Sequence, residues 1–573
     1  MTTRRPTSSQ VLRLAVALAL AGAATSQGPN RCISTDALGT PGNGDSSRPN
    51  FSADARFVVF QSSASDLVPG DANGSSDVFV KDRATGAIER VSVTSNGSEV
   101  HGDSTDAVIS ADARFVAFVS RAAFTIFDGN GTFDVYRHDR VTRTTELVSC
   151  NVLGLCGNDM SGRPSISGDG RYVAFTSHAG NLVPGDGNGV ADVFVKDLFD
   201  ASVDLVSGAP NAQPADLAAG RGVISRDGRW IAFDSYATNL VPNDTNGAAD
   251  VFVRNLASFA ISRCSVGPNG VEANGSSDVL DVSADGTHIL FASWASNLVT
   301  GDTNGVELFV SDQGGGGMER VCVSNAGAQS NGSCLDGRLS GDARFVAFVT
   351  DATNLGGGDP WPTLDVYLRD RTAGTTVRAS TNLGGGDPNS DCTRPALSDD
   401  GRQVAFASYA SNLLFAHPGI AQDIVLADLR PAAPAGFATF GAGCRGSWGT
   451  PELDRDPATL PWTGTVLGLA GSRALGSSFG VVLVGLSRTN WNGSSLPLPL
   501  DAIGMPDCRL HVSIEATIPF ATTSAGDWSA SLPIPANSAL RGVAVHVQGW
   551  SADPWANALG GTLSNAATAT IGG

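Results

Sequence analysis

Short apolar runs alternate with polar turns along almost the whole chain. Valine, serine, threonine and phenylalanine alternate within the runs, and Asp-Gly or Asn-Gly pairs bound them. A period of two is typical of half-buried strands, and these pairs are typical of tight turns. Helical periodicity is almost absent, so the pattern predicts an all-β protein.

One nine-residue run recurs seven times, at intervals of 57 or 58 residues. The copies are SADARFVVF from Ser52, SADARFVAF from Ser110, SGDGRYVAF from Ser167, SRDGRWIAF from Ser225, SADGTHILF from Ser283, SGDARFVAF from Ser340 and SDDGRQVAF from Ser398. Repeats of this regularity indicate stacked or radially arranged units.

Each repeat has room for four short strands. The first strand ends at the motif serine, as in 107–110, and a tight turn leads to the second, as in 115–120. A longer loop then precedes a third strand such as 77–81, and the fourth is 89–93 in the first repeat. Four-stranded sheets repeated around an axis form a β-propeller.

The two ends of the repeat region complement each other. The seventh repeat stops after its third strand, DIVLAD at 423–428, whereas residues 31–34 precede the first repeat and match 90–93. An N-terminal strand that completes the last blade closes the ring and leaves no open edge. A solenoid needs caps and gains nothing from such ends. We therefore expect a seven-bladed propeller of four-stranded blades over residues 27–430.

The repeated motif carries a family resemblance. Ser-x-Asp-Gly-Arg-aromatic-Val-Ala-Phe, followed by Asp-Val-Phe-Val-x-Asp, resembles the WD-like repeats of the TolB-type propeller family over about 31–430. The resemblance implies a periplasmic or extracellular propeller that docks proteins. It implies no chemistry, because a fold does not dictate function.

Beyond the repeats, 431–436 is rich in proline and alanine and is expected to be a linker. SFGVVLVGLS, CRLHVSIEA and RGVAVHVQGW then alternate like strands, which predicts a small β-sandwich over 437–573. Gly441 to Ser447 loosely resembles a motif of C-terminal modules on large exported bacterial proteins.

Six tryptophans fall in this region: Trp448, Trp462, Trp491, Trp528, Trp550 and Trp555. Tryptophan side chains in a small sandwich are more commonly buried in the core, whereas exposed tryptophans would suit carbohydrate binding.

The N-terminus predicts export. Arg4 and Arg5 precede an apolar run over 11–21 and then small residues, which is a signal-peptide pattern ending near Ser26. The run is shorter than the roughly 20 apolar residues that span a bilayer. We expect signal peptide 1–26, an extracellular or periplasmic mature protein, and no membrane span.

The net charge and the cysteine content narrow the range of possible partners and cross-links. The net charge of −19 argues against nucleic acid as a partner, since that binding depends on basic groups. Nine cysteines in an exported chain allow disulfides, and the candidate pairs are Cys150 with Cys156, Cys322 with Cys334, and Cys444 with Cys508.

A loop Asp-x-Asn-Gly-x-x-Asp is complete in four repeats. Its polar residues are Asp71, Asn73, Asp77, Asp128, Asn130, Asp134, Asp186, Asn188, Asp192, Asp244, Asn246 and Asp250. Oxygen ligands at alternating positions suit Ca²⁺, the one cofactor the sequence suggests. Ordinary turn chemistry of Asp and Asn is the favoured interpretation. In the fifth repeat, Leu308 is expected to replace the final aspartate.

No motif predicts a catalytic site. Gly476 to Gly480 matches Gly-x-Ser-x-Gly, but a strand-like run follows where a nucleophile elbow needs a helix. No two histidines have metal-ligand spacing. The repeated Ser-x-Asp-Gly-Arg is expected to be turn chemistry.

The sequence thus favours a non-catalytic exported propeller that acts as a protein- or surface-binding scaffold. A calcium-stabilised adhesion or carbohydrate-binding protein is one alternative. An extracellular glycan hydrolase or lyase that uses the propeller funnel is another, and it requires polar groups that are specific to single blades and converge on the axis.

Overall fold

The computed structural model describes residues 30–209, 213–303, 305–313, 317–356, 361–382, 386–414, 421–429, 436–455, 466–491, 494–503, 505–534 and 543–571. The chain contains two compact units, one over Cys32–Leu429 and another that includes Arg430–Gly573. The predicted signal peptide and linker residues 431–435 lie outside the described residues. No helix within the described ranges is long and apolar enough to cross a membrane.

Seven four-stranded antiparallel sheets form the first unit, which confirms the predicted propeller. The strands of blades 1 to 3 are β2 (Ser46–Phe51), β3 (Phe57–Ser62), β4 (Asp77–Asp82) and β5 (Ile88–Arg90); β6 (Ser104–Ile109), β7 (Phe115–Ser120), β8 (Asp134–Asp139) and β9 (Thr144–Leu147); and β10 (Ser161–Ile166), β11 (Tyr172–Ser177), β12 (Asp192–Asp197) and β13 (Val203–Leu205).

Blades 4 to 7 repeat the same order. Their strands are β14 (Ala219–Ile224), β15 (Trp230–Ser235), β16 (Asp250–Asn255) and β17 (Ile261–Arg263); β18 (Ser277–Val282), β19 (His288–Ser293), β20 (Glu307–Asp312) and β21 (Gly317–Arg320); β22 (Cys334–Leu339), β23 (Phe345–Thr350), β24 (Asp365–Asp370) and β25 (Thr375–Arg378); and β26 (Cys392–Leu397), β27 (Gln403–Ser408), β28 (Asp423–Asp428) and the N-terminal β1 (Asn30–Cys32). Short 3-10 turns occur at Pro268–Gly270 and Asp501–Ile503.

The repeated apolar positions explain how the blades pack. The last phenylalanine of the motif meets the aromatic residue of the third strand, as in Phe60 with Phe79, whose ring centroids are 6.0 Å apart. Both rings are fully buried. The same pair occurs in blades 1 to 6, and the core clusters extend between neighbouring blades. Burial of these large rings supplies much of the hydrophobic stabilisation of each blade.

The N-terminal strand closes the ring as predicted, but in a register one residue away from the predicted one. The Ile33 amide donates to the Ile424 carbonyl at 2.8 Å, as the Val91 amide does to Val78 in blade 1. Ser34 therefore corresponds to Ser92, and Cys32 takes the position of Arg90. The reason is that the serine hydroxyl bonds the first aspartate of the third strand and so sets the register.

The C-terminal unit is a two-sheet sandwich. Its larger sheet has the order β29-β40-β39-β32-β37 and its smaller sheet β30-β31-β38, with a shared core that includes Leu467, Val482 and Trp528. The strands are β29 (Gly436–Phe440), β30 (Glu452–Arg455), β31 (Val466–Ser472), β32 (Phe479–Gly485), β33 (Asn490–Trp491), β34 (Ser494–Ser495), β35 (Leu498–Pro499), β36 (Arg509–Leu510), β37 (Ala516–Ala521), β38 (Trp528–Pro533), β39 (Ala544–Ala552) and β40 (Gly561–Thr570).

The prediction of one strand over CRLHVSIEA was wrong. Only Arg509–Leu510 is extended there, and β37 begins at Ala516. A disulfide fixes Cys508 to Cys444, and the His511 amide donates to the Gln548 side chain instead of a neighbouring strand.

Two of the three candidate disulfides are present. Cys322 pairs with Cys334, and Cys444 pairs with Cys508. Cys150 and Cys156 are cross-strand neighbours without a bond, which corrects that prediction. The buried Cys150 thiol instead donates to the Leu147 carbonyl at 3.2 Å.

Candidate functional site

The innermost strands of the seven blades enclose a cavity of about 880 Å³ on the propeller axis. The third residue of the innermost strand is charged in six of the seven blades. These residues are Arg48, Asp106, Arg163, Arg221, Asp336 and Arg394. Because charge and sign vary from blade to blade, the repeat does not account for them.

The innermost strand has a bulge at the position of these charged residues. Arg48, Asp106, Arg163 and Arg394 all have positive φ values between 52° and 55°. The pairing with the second strand shifts register at the same place in each of those blades. Non-glycine residues rarely adopt this conformation, and such strain clusters at functional sites.

Only part of the charge in the cavity is internally paired. Arg48 pairs with Asp106, and the guanidinium of Arg338 lies 3.1 Å from the Asp336 carboxylate. Arg163, Arg221 and Arg394 make no ion pair with any described residue. The cavity therefore presents arginines without an ion-pair partner beside the acids Asp234, Asp278 and Asp281.

Asp234 is a buried acid in the cavity wall. Gly220 makes room for it, since a Cβ at that position would lie 1.9 Å from the Asp234 Oδ2. Burial, opposed by the Arg221 amide and the Arg163 charge and helped by the nearby Asp278, raises the pKa of the Asp234 carboxyl to about 6. Such an acid changes its charge state near neutral pH.

The Ser-x-Asp turns narrow one end of the cavity. In most blades the residue between Ser and Asp donates its amide to the carbonyl of the corresponding residue of the next blade, as in Ala53 to Ala111 at 3.0 Å and Gly168 to Arg226 at 2.8 Å. In blade 4, Asp227 donates instead, to the Ala284 carbonyl at 3.1 Å. A Cβ on Gly168 would lie 2.9 Å from that Arg226 carbonyl. Arg226 also pairs with Asp399 of blade 7. The open mouth is therefore at the opposite end, where the innermost strands begin.

The Ser-x-Asp-Gly-Arg motif has the structural role predicted for it. Asp54 accepts the Ser52 hydroxyl at 2.7 Å and the Arg56 amide at 2.9 Å, which fixes the turn. The Arg56 guanidinium reaches Asp82 at 2.7 Å and lies 4.9 Å from the centroid of the Phe57 ring.

In blades 1 and 4 an arginine lies among the acidic-loop carboxylates. Arg90 Nη1 is 3.1 Å from Asp71, 3.3 Å from Asp77 and 2.9 Å from Glu99. In blade 4, Arg263 contacts the loop residues Asp244 and Asp250, together with Glu272. Asn73 and Asn246 each donate to the final aspartate of their loop at 2.9 Å.

Blades 2 and 3 keep the loop acids without the arginine. Asp128 accepts the Tyr136 hydroxyl, and Asn130 donates to the Gly157 carbonyl at 2.8 Å. In blade 3, Asn188 donates to Asp192 at 2.7 Å. Burial raises the pKa of Asp134 and of Asp186, each to about 6, and the neighbouring loop acid contributes in both cases.

The remaining loops differ. In blade 5, Glu307 takes the place of the final aspartate and pairs in register with Ser293, which corrects the expectation that Leu308 does so, because this loop is one residue shorter. Burial raises the pKa of Glu307 to about 7. Arg378 lies 3.7 Å from Asp365 in blade 6, and Asp423 of blade 7 accepts the Ser34 hydroxyl. Asn304 and Asp359 lie outside the described residues.

An exposed apolar surface lies on blade 2. We call it the blade 2 apolar surface, and its residues are Ile126, Phe127, Val152, Leu153, Leu155 and Met160. Ile126 and Leu153 are 93% and 79% exposed. A groove of about 550 Å³ runs between the two loops and is lined by Phe124, Phe127, Leu147 and Cys150.

Sequence reasoning missed both the charged cavity and this surface. The signals were present: Ile126 and Phe127 replace the Pro69 and Gly70 of blade 1, and the third residue of each innermost strand breaks the repeat. Departures from a repeat mark the positions where the side chains of one blade differ from those of the others.

The Gly-x-Ser-x-Gly match forms no triad. The Ser478 hydroxyl donates to the Ala552 carbonyl at 2.8 Å, while His546 bonds the Thr568 hydroxyl at 2.9 Å. Strand β32 follows Ser478, as the sequence indicates.

The described tryptophans of the C-terminal unit differ in burial, and Trp550 is half-buried and lies edge-on to Phe479 with ring centroids 6.4 Å apart. Trp528 is buried and stacks on Phe520 with centroids 4.1 Å apart, whereas Trp448 and Trp555 are exposed. Trp462 and the Trp491 side chain lie outside what the structure describes.

No protein-family model matches the chain, and no curated protein sequence does. Similar solved structures include the putative TolB from Agrobacterium tumefaciens, at 18% identity over 49% of this chain and 81% of that chain, with a TM-score of 0.31. The Dos1 propeller matches at 11% identity over 71% of this chain and 97% of that one, with a TM-score of 0.38. Pyrococcus horikoshii acylaminoacyl peptidase matches at 10% identity over 75% of this chain and 58% of that one, with a TM-score of 0.39. The seven sheets described above define the propeller of this chain by themselves.

Proposed function

We propose that the chain is an exported scaffold whose propeller binds a protein partner. The observation that carries the proposal is the blade 2 apolar surface. Monomeric soluble proteins rarely expose large contiguous apolar patches, and such patches commonly mark interaction sites. The signal-peptide pattern and the two disulfides support export.

The topology places this surface on the same face as the cavity mouth. Loops that join the second and third strands lie at the end of the blade where the innermost strand begins, as do loops that follow the fourth strand. Residues 121–133 are the first kind of loop in blade 2, and residues 148–160 are the second kind. The partner-binding face is therefore the face of the acidic loops.

Site-specific photo-crosslinking tests this proposal. A photoreactive residue is placed at Ile126 or at Leu153, and the variants are exposed to the extracellular and envelope proteins of the source cells. The control position is Val141, which is 72% exposed but lies in the turn between β8 and β9 on the opposite face. A crosslinked protein common to positions 126 and 153 and absent at 141 is expected. The same products at all three positions would contradict the proposal.

A second candidate function is an enzyme in the cavity, and Asp234 favours it. A buried carboxyl with a raised pKa beside arginines can act as an acid or base on a bound anionic or glycan substrate. Incubation with polymeric glycans should then release fragments with the wild type but not with Asp234→Asn. Absence of turnover by both proteins over such a panel would contradict this candidate while leaving the scaffold unaffected.

A further inference from the structure

Blades 1 and 4 show what the acidic loop is shaped to hold. The guanidinium nitrogen of Arg90 lies within 3.3 Å of both loop aspartates of blade 1. That arginine stands 13 residues after the final aspartate of its loop, and Arg263 stands at the same distance after Asp250. The space between the loop acids is thus occupied by a cation that the chain itself supplies.

Blades 2 and 3 lack this internal cation. The position 13 residues after Asp134 is Leu147, and the position 13 residues after Asp192 is Leu205. Neither leucine carries charge or a donor, yet both loops retain every polar residue of the motif. Two carboxylates therefore face each other there without the positive charge that balances them in blades 1 and 4.

In blade 2 an unsatisfied oxygen atom marks the same place. Asp134 is completely buried, and its Oδ2, the atom that corresponds to the arginine-binding oxygen of Asp77, has no hydrogen-bond partner. In blade 3, Asp186 is 8% exposed and accepts a hydrogen bond from the Asn188 amide, but no described side chain donates to its carboxylate or pairs with it. A buried carboxylate of this kind is costly unless a cation balances it.

We propose that the acidic loops of blades 2 and 3 each bind one hard divalent cation, such as Ca²⁺, at the position that an arginine occupies in blades 1 and 4. The ligands are the carboxylates of Asp128 and Asp134 in blade 2 and those of Asp186 and Asp192 in blade 3, with water completing the shell. Carboxylate oxygen is the donor that Ca²⁺ and Mg²⁺ prefer. This inference is independent of the protein partner.

The test uses thermal unfolding and calorimetry of the mature chain in CaCl₂, in MgCl₂ and in EDTA. Calcium at about a hundredfold excess over its dissociation constant is expected to raise Tm by about 5 °C, with a binding stoichiometry near two. The Leu147→Arg/Leu205→Arg variant supplies the missing guanidinium groups. It should lose the calcium-dependent rise while its Tm in EDTA is not lower than that of the wild type.

Matched variants separate ion binding from folding. Arg90→Leu/Arg263→Leu removes two internal cations and should increase the stoichiometry towards four. Asp134→Asn/Asp186→Asn preserves the shape of both side chains. It should lose the calcium response without loss of folded protein. This variant tests the proposal even if the arginine variant does not fold. Absence of any divalent-cation response in the wild type would overturn the proposal. A full response in the Asp→Asn variant would also overturn it.

Discussion

At the scale of the residue, Asp234 links the charge of the cavity to pH. Its carboxyl has an ordinary pKa of 3.8 in the unfolded chain and a pKa of about 6 when folded. The folded state therefore binds a proton that the unfolded state does not bind between these values. A raised acid pKa means that stability is highest at low pH and is lost as pH rises through this window.

Asp234→Asn removes this dependence. Between pH 4 and pH 7 the wild type should lose about 1–3 kcal/mol of unfolding free energy relative to the variant. Denaturant unfolding of both proteins at the two pH values measures the difference. Parallel pH profiles would show that the carboxyl is not buried in the way described.

At the scale of the element, a serine–aspartate link joins the fourth strand position to the third strand of a blade. Ser92 donates to Asp77 at 2.6 Å and accepts the Val78 amide at 3.0 Å. Ser34 makes the same two bonds with Asp423 and Ile424, at 2.7 and 3.1 Å. Of these two serine links, the Ser34 link joins the two ends of the propeller, whereas the Ser92 link lies within blade 1.

Ser34→Ala and Ser92→Ala should each lower the unfolding free energy by about 1–3 kcal/mol, because each leaves a buried carboxylate with fewer donors. Their dynamics should differ. Hydrogen exchange of strand β28, Asp423–Asp428, is expected to accelerate in Ser34→Ala and to remain as in the wild type in Ser92→Ala. Unchanged exchange of β28 in both variants would argue against closure by the N-terminal strand.

The elements also show what local patterns can predict. The strand Phe115–Ser120 matches the prediction because every copy of the motif alternates in the same way. The stretch 508–515 alternates too, but the Cys508 side chain is held by a disulfide and the His511 amide by Gln548, so only Arg509–Leu510 pairs there. The register of β1 could not be predicted from local patterns because the contact that fixes it, Ser34 with Asp423, spans 389 residues.

At the scale of the whole molecule, the sequence repeat predicted the closed ring of blades but not the charged cavity on its axis. Seven copies of one motif required seven similar sheets, and the complementary ends required closure. The charges of Arg48, Arg163 and Arg394 belong to blades far apart in sequence, and only the closed ring brings them to one axis. The acidic loops were predicted as one class, whereas the structure separates them by the presence or absence of an arginine on the neighbouring strand.

In the function proposed above, one face of this propeller binds a protein through the blade 2 apolar surface. The most direct measurement is the dissociation constant for the crosslinked partner, compared among the wild type, Ile126→Ser/Leu153→Ser and Val141→Ser. Hot-spot residues cost more than 1 kcal/mol each when truncated, so the double variant should bind at least tenfold more weakly. The opposite-face variant should bind like the wild type. Equal affinities for all three proteins would contradict the account.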